Sequence, residues 1–205
     1  MTRVRTEEVR ASVRYGFSVN LPEVIARAIG RITDGAKRHN LFSAAAAGAQ
    51  NLIQRHITEK AAPTHHATAD RLGANRSGFL EKGADDVVPH ATSDYAEVII
   101  PIQGISRAFR DLTVTPKNAN ALTIPLDALA YSRRASEVRS LGWSIFRPKG
   151  KNVLMGTKDG ETKTLYALVK SAHLRQDRGL LPTDEEISST AKLSIKQYLQ
   201  RRFAA

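Results

Sequence analysis

The sequence predicts an α+β fold with amino-terminal helices, a central, mainly antiparallel sheet, and a carboxy-terminal helix packed on that sheet. Three observations predict it. Apolar residues recur at helical spacing as far as Lys60, alternation and short apolar runs take over after residue 84, and a capped amphipathic stretch closes the chain. The 205-residue length fits one compact domain overall. Within it, 1–83 reads as a helical region ending in a polar loop over 61–83, and 84–205 as the sheet with its helix.

The first helix is expected from Asn20, a capping residue followed by Pro22 and Glu23 in the first turn. Val24, Ile25, Ala28, Ile29 and Ile32 continue it to a stop at Asp34-Gly35. A second helix is expected from Leu41 to Lys60, with Leu41, Ala45, Ala49, Leu52, Ile53 and Ile57 on one side. Its run Ala44 to Gly48 has almost no side-chain bulk, which suits either tight packing inside the subunit or a contact between subunits. From Ala61 to Gly83 the residues are polar, and this stretch is expected to be a loop with one short helical piece, mobile or ordered by a partner.

Strands are expected at Asp86–Val88 and Tyr95–Ile102, joined by the turn-rich His90 to Asp94, with a helical turn from Ile105 to Leu112. After a strand at Ala121–Leu126, a three-stranded meander runs through Trp143–Phe146, Asn152–Met155 and Thr164–Val169. Gly150 and Asp159-Gly160 supply the positive φ that its two reversals need. Pro125 is tolerable only at a sheet edge or a bulge, so Leu122, Ile124 and Leu126 should anchor an edge strand. Tyr131 to Ser136 should then project as a basic loop. The last helix is the best marked: Thr183 and Glu186 form a capping box, and Ile187, Ala191, Ile195, Tyr198 and Leu199 form its apolar face.

Thirty-one Lys and Arg against 20 Asp and Glu give a net charge of +11, which favours an anionic partner, either nucleic acid or an acidic protein face. Ten cations against three carboxylates lie between Arg133 and Arg175. Arg133, Arg134, Arg139, Arg147, Lys149, Lys151 and Lys158 are therefore the candidate residues for a subunit interface or a DNA channel. Trp143, Phe146 and Tyr166 are interleaved with them, as in the stacking platforms of single-strand binders, but they sit in apolar runs where core packing is the simpler role. Only 6% of residues are aromatic, so the core should be modest.

Other chemistry finds little footing. There is no cysteine, so disulfides and thiolate chemistry are excluded. The six histidines, His39, His56, His65, His66, His90 and His173, lack a recognised ligand spacing, so no metal is expected. Phosphate-cradling glycine loops and a nucleophile elbow are missing, Asp85-Asp86 has no evident acid partner, and neither a catalytic role nor a cofactor is expected. No apolar run approaches the ~18 residues of a membrane span, and MTRVRTEEVR does not read as a secretory signal.

Four segments in order then carry a resemblance: Leu122 to Pro125 (LTIP), Arg134 to Ser136 (RAS), the basic hairpin Ile145 to Met155, and Leu165 to Ser171 (LYALVKS). Together they resemble the carboxy-terminal half of the Mu-like phage virion morphogenesis family, tail-completion and neck proteins of tailed bacteriophages. Upstream, Asn75-Arg76-Ser77-Gly78-Phe79-Leu80 is similar to the family's RTG-x-L signature, with Ser in place of Thr. The family's I-x-ARPFL continuation does not occur in Ala172 to Pro182.

The resemblance implies a non-enzymatic structural virion protein of the head-tail junction, forming a homomeric ring that joins connector and tail around the DNA channel. A hexamer is one candidate stoichiometry. Its implied partners are other copies of itself, other head-tail connector and tail proteins, and packaged DNA through non-specific contact, with no membrane. The implied location is the virion neck or tail, reached from the host cytoplasm during assembly. The alternative that the charge supports is a stand-alone basic nucleic-acid-binding protein.

Overall fold

The structure, a computed structural model, describes residues 6–9, 12–16 and 34–203. In chain order the elements begin with strands β1 (Thr6–Val9) and β2 (Ser12–Gly16), then the long helix α1 (Gly35–His56) with a π-helical continuation, Ile57–Ala61. Three short helices follow, α2 (Ala62–Thr64), α3 (Ala67–Leu72) and α4 (Phe79–Asp85), then β3 (Val88–Ala91) and β4 (Ala96–Ile100). A 3-10 turn at Ile105–Ala108 leads to β5 (Leu112–Val114), β6 (Leu122–Pro125) and helix α5 (Ala135–Ser140). The meander β7 (Ser144–Phe146), β8 (Val153–Lys158) and β9 (Glu161–Val169) is followed by β10 (Ala172–Leu174), a 3-10 turn at Arg178–Leu180, and helix α6 (Asp184–Phe203). The fold is α+β, with antiparallel sheets and a carboxy-terminal helix packed against sheet and helix.

Two compact units interleave along the chain, in place of the single boundary expected near residue 83. The first comprises 1–63, 79–109 and 177–205, and the second 64–78 and 110–176. In the first, a sheet of order β1-β2-β4-β3 lies beside α1. Ala96, Val98 and Ile100 of β4 are buried at every second position, the period of a strand covered on one face. They meet Ala49, Ile53 and Ile57 from the helix, and Ile187, Ala191 and Ile195 from α6. Gln50, which falls on the polar side in the sequence pattern, donates to the Val87 carbonyl (2.8 Å) and so ties the helix to the start of β3.

Several expectations are corrected here. Asp34 starts a helix, a role the sequence reading did not give it: its carboxylate accepts from the Ala36 (2.9 Å) and Lys37 (3.4 Å) amides, the bonds of an N-cap. Those amide donors hold its carboxyl below the usual carboxylate range. The stretch 61–83, expected as a loop, is largely helical, because alanines line its buried side at Ala61, Ala62 and Ala69. Strand β1 pairs antiparallel with β2, and β2 with β4, although the residues of both are too polar to show an apolar strand pattern. The expected helix over Leu21 to Ile32 lies outside the described residues.

The alanine run packs within the unit. Ala45, Ala46 and Ala49 are buried, and Gly48 faces Ser194 of α6 at a spacing that leaves no room for a Cβ. The capping box of α6 forms as expected, with the Thr183 amide donating to Glu186 (2.8 Å) and the Glu186 amide donating to the Thr183 hydroxyl (3.2 Å). The Thr183 amide, with Lys60 3.9 Å away, holds the Glu186 carboxyl below its ordinary 4.5. A carboxylate whose folded pKa is depressed stabilises the fold above its unfolded pKa and loses that contribution as pH falls through the folded value. Amides of Asp184 to Ile187 should therefore lose hydrogen-exchange protection as pH drops below about 4.5. The variant Thr183→Ala, expected to cost about 1 kcal/mol, should show the same fraying already at neutral pH.

The second unit holds a sheet of order β6-β9-β8-β7 and the small pair β5–β10. The meander forms through the expected reversals, with positive φ at Gly150, Asp159 and Gly160. Strand β6 is an edge strand, which is where Pro125 can sit without breaking a ladder. Leu122 and Ile124 are half-buried as anchors, but Leu126 is 43% exposed and does not join them. Ala130, Val138, Trp143, Leu165 and Tyr166 form the core. Trp143 and Tyr166 are thus packing residues, whereas Phe146 is 44% exposed.

Candidate functional site

The basic elbow after β6 is more ordered than a projecting loop. Asp127 accepts from the Leu129 amide (2.8 Å), and Ser132 takes a positive φ of 57°, uncommon for a residue with a Cβ. The Arg134 amide then donates to Glu137 (2.7 Å) and opens α5, so Ala135 and Ser136 are helical. Beneath this turn the buried Tyr166 hydroxyl donates to the Arg133 carbonyl (3.0 Å). Burial, followed by the nearby Glu137 carboxylate, pushes the Tyr166 phenol above its ordinary pKa. The core thereby fixes the backbone that carries Arg133 and Arg134.

The seven candidate cations are carried by different elements of the second unit. Arg133 and Arg134 precede α5, Arg139 is in its last turn, and Lys158 donates to the Leu141 carbonyl (2.9 Å) beside it. Arg147, Lys149 and Lys151 occupy the other end of the meander. Between Lys151 and Lys158 the backbone spans roughly 20 Å of extended chain. That is about two Debye lengths at physiological salt, so Lys151 and Lys158 are largely screened from each other.

Three of the seven also have structural work. Arg147 donates to the Lys151 carbonyl (2.9 Å) and the Asn152 side chain (3.0 Å), clamping its own hairpin. Arg133 donates through Nη1 to the Leu129 carbonyl (2.9 Å), closing the elbow, and Lys158 fastens the α5–β7 turn as above. Of the seven, Arg134, Arg139, Lys149 and Lys151 are exposed. Nearby, the Lys163 ammonium stands 5.6 Å from the Trp143 ring centroid and pairs with Glu161 (3.0 Å), which raises its pKa.

The elbow also walls a cavity of about 460 Å³, whose opposite wall is Gly73–Ser77, the segment after α3. Gly73, with φ 62°, ends that helix in the left-handed conformation. Arg76 is held by a two-pronged pair with Asp70 (3.1 and 3.2 Å). The Asn75-Arg76-Ser77 sequence and the elbow are more than 50 positions apart, yet the fold brings them together. In the sequence the first reads as part of a polar loop and the second as a basic loop, and nothing local in either announces the other.

The histidines are dispersed. His56 contacts the Gly179 carbonyl (2.9 Å), His90 pairs with Glu97 (3.0 Å) and His173 with Asp111 (3.6 Å), while His66 is buried. Among the described residues no three His, Asp or Glu side chains are grouped to hold a metal ion, and no helix is long and apolar enough to cross a membrane. No family model, curated protein or solved structure matches the chain.

Proposed function

We propose that this chain is a structural virion protein of the phage head-tail junction, a neck or tail-completion component. It forms a homomeric ring that joins connector and tail around the DNA channel. One observation carries this reading. The four segments that resemble the Mu-like virion morphogenesis proteins make up one module: LTIP is β6, RAS opens α5, the basic hairpin is β7–β8, and LYALVKS is β9 with its exit.

The surface of that module supports assembly. Leu126, Leu141 and Phe146 are each more than 40% exposed, and β6 and β7 end the sheet on either side. In a closed ring such features meet a different patch on the next subunit, since cyclic contacts beyond the two-fold are heterologous. The exposed cations Arg134, Arg139, Lys149 and Lys151 suit an anionic neighbour, whether an acidic protein layer or DNA passing through the channel. The chain would then work in the virion, after assembly in the host cytoplasm.

Mass spectrometry of purified particles and size measurement of the isolated chain at micromolar concentration test the proposal. Presence in virions at several copies per particle, together with a ring-sized species, is expected; absence from virions removes the reading. The double variant Arg133→Glu, Arg134→Glu should fold normally by circular dichroism. Reversing two interface charges should lower the yield of infectious tailed particles by at least about tenfold. An unchanged yield would remove the elbow from the interface. The stand-alone nucleic-acid-binding alternative, which the +11 charge favours, predicts instead tight duplex binding by the dispersed monomer with a steep salt slope.

A further inference from the structure

The cavity between Gly73–Ser77 and the elbow has a polar wall with a defined bias. Asn75, Arg76, Ser77, Tyr131, Ser132 and Arg133 line it, supplying two guanidiniums, three hydroxyls and an amide, and no carboxylate is among the lining residues. Each guanidinium has five N–H donors. Arg76 uses Nε and Nη2 on Asp70, and Arg133 uses Nη1 on the Leu129 carbonyl, so both planes are held by the protein while further donors remain on each. The Arg133 wall is fixed again from below by Tyr166, through the Arg133 carbonyl. Donors held in place before a ligand arrives bind it with less loss of side-chain freedom.

We infer that this cavity is a phosphate-binding site that takes a nucleotide unit. Two arginines and three hydroxyl-bearing residues around one cavity suit a tetrahedral group with several acceptor oxygens better than a flat carboxylate, which one arginine fork satisfies. A volume of about 460 Å³ exceeds what inorganic phosphate needs and lies in the range of small-molecule sites. Ala128, Leu129 and the Tyr131 ring supply apolar wall for the remainder of the ligand. The phosphate can belong to a free mononucleotide or to the backbone of a nucleic-acid strand. The inference does not rest on ring assembly, because the cavity lies within one unit of one chain.

Equilibrium titration of the full chain with inorganic phosphate, a 5′-mononucleotide and a short single-stranded oligonucleotide tests it. Saturable mononucleotide binding is expected, tighter than phosphate alone. Arg133→Ala should weaken it by roughly tenfold or more, as loss of a charge-assisted hydrogen bond does. Arg133→Lys, which keeps the charge, should recover only part of that loss. Lys196→Ala, at an exposed cation that does not line the cavity, should leave it unchanged. Oligonucleotide binding stronger than mononucleotide binding, with competition between them, identifies a strand as the source; equal or weaker binding identifies the free nucleotide. No saturation by millimolar mononucleotide, or equal weakening by Lys196→Ala and Arg133→Ala, overturns the inference. If Arg133→Ala disturbs the fold by circular dichroism, Ser77→Trp, which fills the cavity from its other wall, must abolish binding; retained binding overturns it equally.

Discussion

Replacing Gly48 by leucine should destabilise the first unit by about 1–3 kcal/mol, and the loss should be recoverable from the facing helix. Gly48 of α1 lies directly against Ser194 of α6. A Cβ placed there would stand 2.9 Å from the Ser194 Cβ and 3.6 Å from the Thr190 carbonyl. The Ser194 hydroxyl is already committed, donating to that carbonyl at 3.0 Å. Helix propensity works the other way, since any straight-chain residue gains up to ~1 kcal/mol over glycine in a helix interior. That gain is smaller than the cost of driving two packed helices apart. Chemical denaturation of Gly48→Leu, Ser194→Gly and the double variant measures the coupling. A favourable coupling of about 0.5 kcal/mol or more is expected for residues in direct contact. If Gly48→Leu leaves monomer stability intact and changes only the oligomer, the alanine run serves a subunit contact instead.

The features legible in the sequence are those set by neighbours along the chain. The Thr183–Glu186 box, the Asp159-Gly160 reversal and the alternation of Ala96, Val98 and Ile100 each need only a few residues to be recognised, and each forms. Asp34-Gly35 shows the limit of such signals. Aspartate before a helix and a glycine after one are both common, and only the 2.9 Å bond from the Ala36 amide shows that Asp34 caps the helix that follows it. The strands β5 and β10, three residues each, are too short for a period to register, and they exist because Leu112–Val114 finds Ala172–Leu174 sixty residues on. The cavity was illegible for the same reason. Arg76 and Arg133 are ordinary basic residues in turns until the fold makes them opposite walls of one space. Interleaving of the two units also defeats a linear reading, because no composition change marks where the chain leaves one and enters the other.

Trp143→Ala should cost the second unit about 3–5 kcal/mol, a large share of the 5–15 kcal/mol that holds a typical domain together. The indole is only 8% exposed and packs with Val138, Leu165 and Tyr166. Gly156 lies directly against it: a Cβ there would come within 3.1 Å of the ring and 2.6 Å of the Leu165 side chain, so backbone and indole are in contact with no space between. Neighbours this tightly fitted collapse poorly into a void, which places the cost toward the upper part of that range. Hydrogen exchange should show protection lost across residues 122–169, while Trp143→Phe should keep most of it. The same variant separates packing from recognition. A tryptophan that stacked on bases would, when truncated, weaken oligonucleotide binding by about 1–3 kcal/mol and leave stability nearly unchanged. Retained stability with lost binding would therefore return Trp143 to the surface chemistry of the basic region. Lost stability, with Phe146→Ala as the neutral comparison at an exposed aromatic, fixes it as the residue on which the sheet and the elbow are built.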